Sequence, residues 1–371
     1  MSEQKTKAAQ QHTGGHIPGE IKLAVAIRLL AGGSYLDLIP LFDMVKSSIY
    51  KTFDQVVRWV LYTFEFPLPG ILRREDWSVL HEFAHDFDAK SGGHFYGTFG
   101  ALDGVAIRIN SPSLKEVPDP GNYYCRKGFC ALNVQAICDK HKRFLWAHPM
   151  NKGSTHDSVA FGGTRLLDLL KEHAVKLKEQ GLFLVGDSAC PLCFFLQVPC
   201  NQQEAQADPV GAKDAFNCHL SANRTWIECS FGEFIMRWGL FWRTLRFSSI
   251  AKSGNVVLAA MLLHNFIVEW RMTDKERTGA DEQCFRQFTM ELESAAQRRM
   301  TALTGELPRA LVSDNNEPKP AGRPSMTEKR MLEEGEILRN TLMLTLSKGN
   351  LKRPKESGMR CNDEGLTFME H

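Results

Sequence analysis

The chain has 371 residues, of which 43% are hydrophobic and 24% charged, and its formal net charge is +2. These are ordinary values for a globular protein, and the small net charge does not exclude a nucleic-acid partner, because basic residues can gather on one face. No uncharged apolar stretch of membrane-spanning length stands out, and the polar residues 1–16 lack the apolar core of a signal peptide. We therefore expect neither a transmembrane helix nor a secretory signal.

Helical patterns follow a polar segment, residues 1–18, which we expect to be disordered. Residues 19–90 predict helices: one from Ile21 to Leu30, a short second one begun by Ser34, and a third begun by Ser47-Ser48. This order outlines a helix-turn-helix, with a DNA groove facing the start of the third helix at Lys46, Ser47, Ser48, Tyr50 and Lys51. The alternative is a plain helical subdomain that packs on the rest of the protein.

Strand patterns dominate the first half of residues 95–272. They predict the strands Gly100–Ile109, Cys130–Cys138 and Phe144–Pro149, an amphipathic helix Ser158–Leu177, the strand Leu182–Val185, and helices at 224–247 and 255–270. The last helix is apolar nearly all round and should be buried. The order β-β-β-α-β, followed by a helix, is the layout of an RNase H-like α/β fold, in which helices flank a mixed sheet.

The C-terminal residues 278–371 are charged and punctuated by proline, which predicts a linker and tail with one charged helix near Met326–Leu346. Within them, Ala321-Gly-Arg-Pro324 resembles the centre of a hook that inserts arginine into the DNA minor groove. A flexible linker is the alternative for this segment.

Three carboxylates lie at structural junctions. Asp103 and Asp187 interrupt or close short apolar β-patterns beside glycine, and Glu228 lies in a segment of helical period. Two strand-borne Asp and one helix-borne Glu would form a cage of hard oxygen ligands suited to Mg²⁺ or Mn²⁺. Such a cage can cut and join phosphodiesters. Arg224 falls one turn before Glu228 and would lie near a phosphate; the alternative is a solvent-facing Arg–Glu pair.

A fourth acid, Asp157, precedes the predicted long helix. It can act as an N-terminal cap, as an extra metal ligand, or as a group that orients metal-bound water. Neighbouring His156 would assist it or play a structural part.

The ten cysteines predict reduced thiols, since no secretory signal is present. Cys190-Pro-Leu-Cys193 superficially resembles a redox pair, and a zinc site is conceivable with the ligands Cys190, Cys193, Cys218 and His219. Ordinary packing thiols are the simpler interpretation.

Several segments together resemble the PIF/Harbinger-type transposases and their domesticated nuclease relatives, in the DDE superfamily. They are Ala101-Leu-Asp-Gly104, Tyr124 to Asp139, Gly153-Ser-Thr-His-Asp-Ser158, Gly186-Asp-Ser-Ala189, Phe216-Asn217, Arg224 to Gly232, and Leu263-His-Asn-Phe266. They occur in the family's order and span roughly Gly100 to Trp270, within the predicted nuclease domain of residues 95–272.

The resemblance implies a DNA endonuclease or transposase with a divalent metal cofactor, Mg²⁺ or Mn²⁺. Asp103, Asp187 and Glu228 would be the catalytic DDE triad, and Asp157 would join them as a metal ligand. It also implies a nuclear location, with the cytoplasm as the alternative, and a Myb/SANT-like partner protein for DNA recognition. Phosphate contacts are expected from Lys46, Ser47, Lys51, Arg126, Lys127, Arg224, Arg237, Arg243 and Arg246.

Two departures from the family pattern leave a second interpretation open. Ala189-Cys190 stands where relatives often carry Gly-Tyr, and Lys152 where they commonly have Pro. Both changes spare the acids but alter the local sequence around them. The alternative is thus a domesticated, catalytically silent DNA-binding or scaffold protein on the same fold.

Overall fold

A five-stranded mixed sheet forms the centre of the protein in a computed structural model that describes residues 17–88, 93, 95–273, 326–349 and 351. Its strands are β1 (Thr98–Arg108), β2 (Ala131–Cys138), β3 (Phe144–Lys152), β4 (Phe183–Val185) and β5 (Leu196–Gln197). Their order is β3-β2-β1-β4-β5; β1 to β3 pair antiparallel, whereas β1, β4 and β5 pair parallel. The predicted mixed α/β class, with helices flanking the sheet, is confirmed.

Helices fill the described residues before the sheet. They are α1 (Gly19–Leu30), α2 (Tyr35–Phe42), α3 (Lys46–Thr63), α4 (Pro67–Arg74) and α5 (Trp77–Asp88). Ser34 starts α2 as expected: its hydroxyl accepts from the Leu36 N–H at 3.2 Å, and the Asp37 carboxylate accepts from the Ser34 N–H at 3.1 Å. The sequence did not predict α4. Whether α2 and α3 act as a helix-turn-helix stays a prediction.

The helices after β3 differ most from the prediction. They are α6 (Asp157–Gly162), α7 (Arg165–Glu172), α8 (Ala174–Gln180), α9 (Gln202–Gln206), α10 (Ala212–Arg237), α11 (Ile250–Thr273) and α12 (Met326–Lys348). Three short helices thus replace the single one predicted over Ser158–Leu177. The break follows from Gly162-Gly163 and from Thr164, whose hydroxyl accepts from the Leu167 N–H at 3.3 Å and starts a new helix.

Both faces of the sheet are buried under helices. On one face, Ala101, Leu132 and Val134 share a core with side chains of α1, α3, α10 and α11. On the other face, Leu102, Ile137 and Leu184 share a core with side chains of α4, α5, α7 and α8. Because neighbouring residues of a strand point to opposite faces, each side chain of β1 belongs to one core or the other.

Helix α11 is the buried helix that the apolar pattern predicted, and it is fixed to β3. The Asn265 amide accepts from the Phe144 N–H and donates to the Phe144 carbonyl, both at 2.7 Å. Among the described helices, α11 is also long and apolar enough to cross a membrane by composition, with a mean hydropathy of 1.3. This is weak evidence for a span, because 67% of that window is buried inside the protein.

Helix α12 lies where a charged helix was predicted within a tail, but it packs on the folded protein. Its Leu342, Met343 and Leu346 join the core beneath α10 and α11. Its Gly335 lies against the backbone of Cys193, and Glu334 forms a salt bridge with Lys178 at 3.0 Å. The predicted disordered segment, residues 1–18, lies outside the described residues except for Ile17 and Pro18, and so does the whole of the hook-like Ala321–Pro324.

Candidate functional site

Asp103 lies in the middle of β1, opposite Ala136 of β2. One of its carboxylate oxygens accepts from the Gly104 N–H at 2.7 Å, and its side chain is 18% exposed. Burial raises the pKa of Asp103 to about 6; the positive charge of Arg224 opposes this, whereas the charges of Asp157 and Asp187 add to it. Asp103 is thus a carboxylate on an interior strand of the sheet. Proteins rarely bury a carboxylate unless a partner group binds it.

Asp187 reaches the same level of the sheet from the neighbouring strand. The last residue of β4, Val185, lies opposite Ala101 in the parallel pair of β1 and β4. Two residues further along each chain bring Asp187 level with Asp103. The Ser188 hydroxyl donates to the Asp187 carboxylate at 3.0 Å, and the Ser188 N–H donates to the same oxygen. Sequence analysis had not identified Ser188 as a residue that orients this acid.

Arg224 and Glu228 lie one turn apart on α10, which covers the face of the sheet that carries Asp103. One terminal nitrogen of Arg224, Nη1, donates to Asp103 Oδ2 at 3.1 Å, and the other, Nη2, contacts Glu228 Oε1 at 2.7 Å. The guanidinium therefore lies between two of the three predicted catalytic acids. Glu228 is the most exposed of this set, with 48% of its side chain accessible.

Asp157 approaches β1 from the opposite face. Its Oδ1 accepts from the Asn133 amide at 3.0 Å and from the Gln135 amide at 2.7 Å. A Cβ atom at Gly104 would lie only 2.5 Å from this oxygen, so Asp157 occupies the side-chain space of Gly104, across the strand from Asp103. Asp157 is the first residue of α6, but no side-chain cap bond forms at this helix start.

The amides of Asn133 and Gln135 are part of this site, and sequence reasoning did not identify them. The sequence pattern that could have identified them is a pair of polar residues at positions i and i+2, on the same face of an otherwise apolar strand. Both residues are buried, and Gln135 Oε1 has no hydrogen-bond partner in the described part of the chain. A buried amide that lacks a hydrogen-bond partner lowers the stability of the fold. We therefore interpret this pair as serving to hold Asp157 in place.

The three aspartates converge around a single thiol. Burial, and to a lesser extent the charges of Asp103, Asp187 and Asp157, raise the pKa of Cys190 to about 12. Glu228 joins this group through Arg224. Nevertheless, the described residues contain no group of three or more His, Cys, Asp or Glu side chains arranged to hold a metal ion. The carboxylate oxygens are the hard donors that Mg²⁺ and Mn²⁺ prefer, and the guanidinium provides the positive charge between two of them.

Comparison with known proteins identifies this part of the chain. Residues 102–265 match the family described as a DDE superfamily endonuclease. The match begins one residue before Asp103 and ends at Asn265, so it includes all four acids. It confirms the resemblance at the level of the DDE superfamily and supports a nuclease or transposase-like function. No curated protein and no solved structure matches the chain.

Cys190 and Cys193, the cysteines of the redox-like motif, are packing thiols in this structure. Cys190 and Cys193 are both buried, and burial also raises the pKa of Cys193 to about 12. A redox-active thiol needs a depressed pKa and access to solvent, so the redox hypothesis is wrong. A zinc site of Cys190, Cys193, Cys218 and His219 is likewise not formed, because no such group of ligands occurs among the described residues.

The candidate DNA-binding residues fall into two classes. Lys46, Ser47, Lys51, Arg126, Lys127, Arg243 and Arg246 are exposed. Arg237 is not available to a phosphate: its side chain is 11% exposed, and it pairs with Glu233 at 3.1 Å and donates to the His264 carbonyl at 3.2 Å. Arg224 is half-buried in the acid cluster.

Proposed function

We propose that this protein is a divalent-metal-dependent DNA endonuclease or transposase that cleaves phosphodiester bonds by a DDE mechanism. The observation that carries the proposal is the proximity of Asp103, Asp187 and Glu228 inside the segment that matches the DDE endonucleases. The Arg224 guanidinium contacts Asp103 and Glu228, and the charges of Asp103 and Asp187 both act on the Cys190 thiol. Strand order and the two helical layers are compatible with the RNase H-like fold expected from the sequence.

The acids would hold the cofactor through their carboxylate oxygens. A bound Mg²⁺ or Mn²⁺ supplies activation of the attacking oxygen and neutralisation of the leaving oxygen. Asp103 lies on β1 and Asp187 follows the end of the neighbouring strand β4, so these two would fix the position of the cation, whereas Glu228 would close the site from α10. Asp157, held across β1 by two amides, adds negative potential to this pocket and is proposed as an outer member of the metal site.

Arg224 must leave the space between Asp103 and Glu228 before both carboxylates can share a cation. Its two contacts, at 3.1 and 2.7 Å, satisfy the acids while the pocket holds no other positive charge. Once displaced, a guanidinium on α10 next to the acids is well placed to bind a phosphate of the substrate, for which its planar fork is suited. We propose this exchange as the step that prepares the site.

The finer assignments rest on the sequence resemblance. We propose membership of the PIF/Harbinger-type subgroup, DNA as the substrate, a Myb/SANT-like partner that supplies target recognition, and action in the nucleus. Strand transfer after cleavage belongs to the same proposal. The exposed start of α3, with Lys46, Ser47 and Lys51, supports a DNA contact by the N-terminal helices.

A nicking assay on supercoiled plasmid with Mg²⁺ or Mn²⁺ tests the proposed activity. Asp103→Asn, Asp187→Asn and Glu228→Gln should each abolish metal-dependent nicking while DNA binding, measured without metal, persists. Asp168→Asn, an exposed acid on α7, is the matched control and should cut like the wild type. Undiminished cutting by any of the three variants would remove that residue from the catalytic set.

The alternative is a silent DNA-binding or scaffold protein, and one observation favours it. Arg224 already neutralises Asp103 and Glu228, and no three-acid metal group is formed among the described residues. In that case the wild-type protein should bind DNA without nicking it at any Mg²⁺ or Mn²⁺ concentration. Calorimetric titration with Mn²⁺ should then show no binding that depends on Asp103.

A further inference from the structure

A basic hairpin immediately precedes β2. Tyr124 and Cys130 form an isolated antiparallel bridge, and the turn between them is closed by the Cys125 N–H donating to the Phe129 carbonyl at 2.9 Å. Gly128 takes a left-handed φ of +85° that allows the tight turn. Arg126 and Lys127 occupy the tip and are exposed, and Tyr124 is 57% exposed beside them.

Two further arginines extend this basic surface. Arg108 lies at the end of β1, with its guanidinium 4.2 Å from the centre of the Phe129 ring. The Leu245 N–H donates to the Arg108 carbonyl at 3.0 Å, and the Asn110 N–H donates to the Leu245 carbonyl at 3.1 Å. Because Ile109 and Leu245 are buried and paired, their neighbours Arg108 and Arg246 point away from the core. We call Arg108, Arg126, Lys127 and Arg246, with Phe129 and Tyr124, the basic surface.

The charges of the basic surface are left for a partner. No ion pair of the described residues involves any of its four cations, whereas Arg28, Arg143, Lys178 and Lys252 elsewhere on the protein all pair with acids. The two acids of the preceding loop are bound to backbone: Glu116 accepts from the Ile250 N–H, and Asp119 accepts from the Gly121 N–H at 3.2 Å. Exposed cations with no acid to neutralise them attract polyanions.

The basic surface lies further along β1 than the acid cluster. Asp103 and Arg108 are five residues apart on β1, which at roughly 3.3 Å per residue is about 17 Å between their backbones. Because this spacing is odd, the two side chains point to opposite faces of the sheet. A ligand that contacts both must therefore extend well beyond the acid cluster, as a duplex with a rise of about 3.4 Å per base pair does.

We propose that the basic surface binds the phosphate backbone of duplex DNA outside the acid cluster. This inference rests on the proposed nuclease function and adds a second surface that contacts the substrate. Arg126 and Lys127 contact phosphates from the hairpin tip. Arg108, held flat on Phe129, presents its guanidinium at low entropic cost because the ring restricts its side chain.

Fluorescence anisotropy of a short labelled duplex, measured without metal across a range of salt concentrations, tests the proposal. The double variant Arg126→Ala/Lys127→Ala should lower affinity roughly tenfold and reduce the slope of log affinity against log salt by about 1.8, which is the loss of two phosphate contacts. The charge-preserving variant Arg126→Lys/Lys127→Arg should keep the wild-type slope. Arg165→Ala/Lys176→Ala removes the same charge from exposed positions on α7 and α8, and should leave the slope unchanged.

Each other outcome overturns the proposal. These outcomes are an unchanged slope in Arg126→Ala/Lys127→Ala with an intact thermal melt, an equal loss in the control pair, or a wild-type protein that does not bind the duplex. The nicking assay separates this inference from the proposed function. If Arg126→Ala/Lys127→Ala lowers the salt slope but the wild type shows no metal-dependent nicking, the DNA-binding role of the basic surface would be supported and the proposed nuclease activity would be wrong.

Discussion

Arg224 decides the charge balance of the candidate site. Three carboxylates at short range repel one another, and in the absence of another cation a single guanidinium holds two of them at 3.1 and 2.7 Å. The same contacts oppose any divalent ion that needs those oxygens. Arg224 thus stabilises the metal-free protein and competes with the metal.

Replacement of Arg224 tests this competition. In Arg224→Gln, the side chain stays polar but becomes shorter and loses its charge, so Mn²⁺ should bind roughly tenfold more tightly, which corresponds to about 1.4 kcal/mol. Isothermal titration calorimetry measures the change, with Arg165→Gln on the surface of α7 as the control. An unchanged or weaker Mn²⁺ affinity would show that the guanidinium does not occupy the cation's place.

Asp103 makes stability depend on pH. Burial raises its pKa in the folded protein to about 6 from 3.8, so the folded state binds a proton more tightly than the unfolded state. The stability linked to this proton is present below pH 4 and is lost as pH rises through 6. Ionised Asp103 therefore destabilises the metal-free protein at neutral pH, by up to about 3 kcal/mol.

Asp103→Asn should accordingly raise the melting temperature of the metal-free protein at pH 7.5, which is roughly one and a half pH units above the pKa of Asp103 in the folded state. This gain in melting temperature should vanish near pH 4. Thermal melts at a series of pH values provide the measurement, with Asp168→Asn as a control that should show no such trend. In this variant Arg224 keeps its ion pair with Glu228, so its positive charge is not left without a partner. A gain that is equal at all pH values would point to packing instead.

The individual acids were predictable from the sequence, whereas most of their contacts were not. Asp103, Asp187 and Glu228 stand out locally, because each interrupts an apolar pattern or lies on a helix period. The pairing of Arg224 with Glu228 also follows from a four-residue spacing. The contact of Arg224 with Asp103 joins residues 121 apart and depends on how α10 docks on the sheet.

At the scale of elements, the spacing of apolar residues predicted the long strands and the N-terminal helices. It did not predict the shortest strand and several of the short helices. β5 has two residues, which is too short for an alternating pattern to be recognised. The helix predicted over Ser158–Leu177 divides because Thr164 forms a side-chain cap after two glycines, a local hydrogen bond that overrides the apolar period. Apolar spacing alone cannot place such a break.

α10 shows the opposite error, since it begins at Ala212 and not at Arg224. We expected a loop-rich stretch between Pro191 and Asn223, because it contains Asn201-Gln-Gln-Glu204, Asp208-Pro209 and Gly211. In the fold, the Asn217 amide accepts from the Cys200 N–H at 2.8 Å and donates to the Cys200 carbonyl at 3.0 Å. Tertiary contacts of this kind stabilise a helix that propensity does not favour.

One sequence motif of the predicted family, Leu263-His-Asn-Phe266, has a structural role. Asn265 bonds to both backbone groups of Phe144, and the buried His264 lies 3.0 Å from the Lys142 carbonyl. Burial, together with the nearby charge of Arg237, lowers the pKa of His264 to about 4, so its ring is neutral at physiological pH. These residues fix α11 to the sheet edge and place no side chain among the acids.

At the scale of the whole molecule, α12 joins the C-terminal part of the chain to the DDE endonuclease region. It packs on α10, the helix that carries Arg224 and Glu228, and it covers the edge strand β5. Gly335 allows this close approach, because a Cβ there would lie 2.7 Å from the Cys193 backbone. The sequence did not predict this packing, because the segment is rich in charged residues and only a few of its residues face the core.

Leu346 and Leu344 provide a matched test of that packing on one helix. Leu346 is completely buried, whereas Leu344 is 63% exposed. Leu346→Ala should lower the free energy of unfolding by about 2–5 kcal/mol because it leaves a cavity, and Leu344→Ala should change it by less than about 0.5 kcal/mol. Chemical denaturation of the full-length protein measures both values. Equal effects of the two substitutions would mean that α12 does not pack on the core in solution, and α10 would then rely on the sheet and on α11 alone to position Arg224 and Glu228.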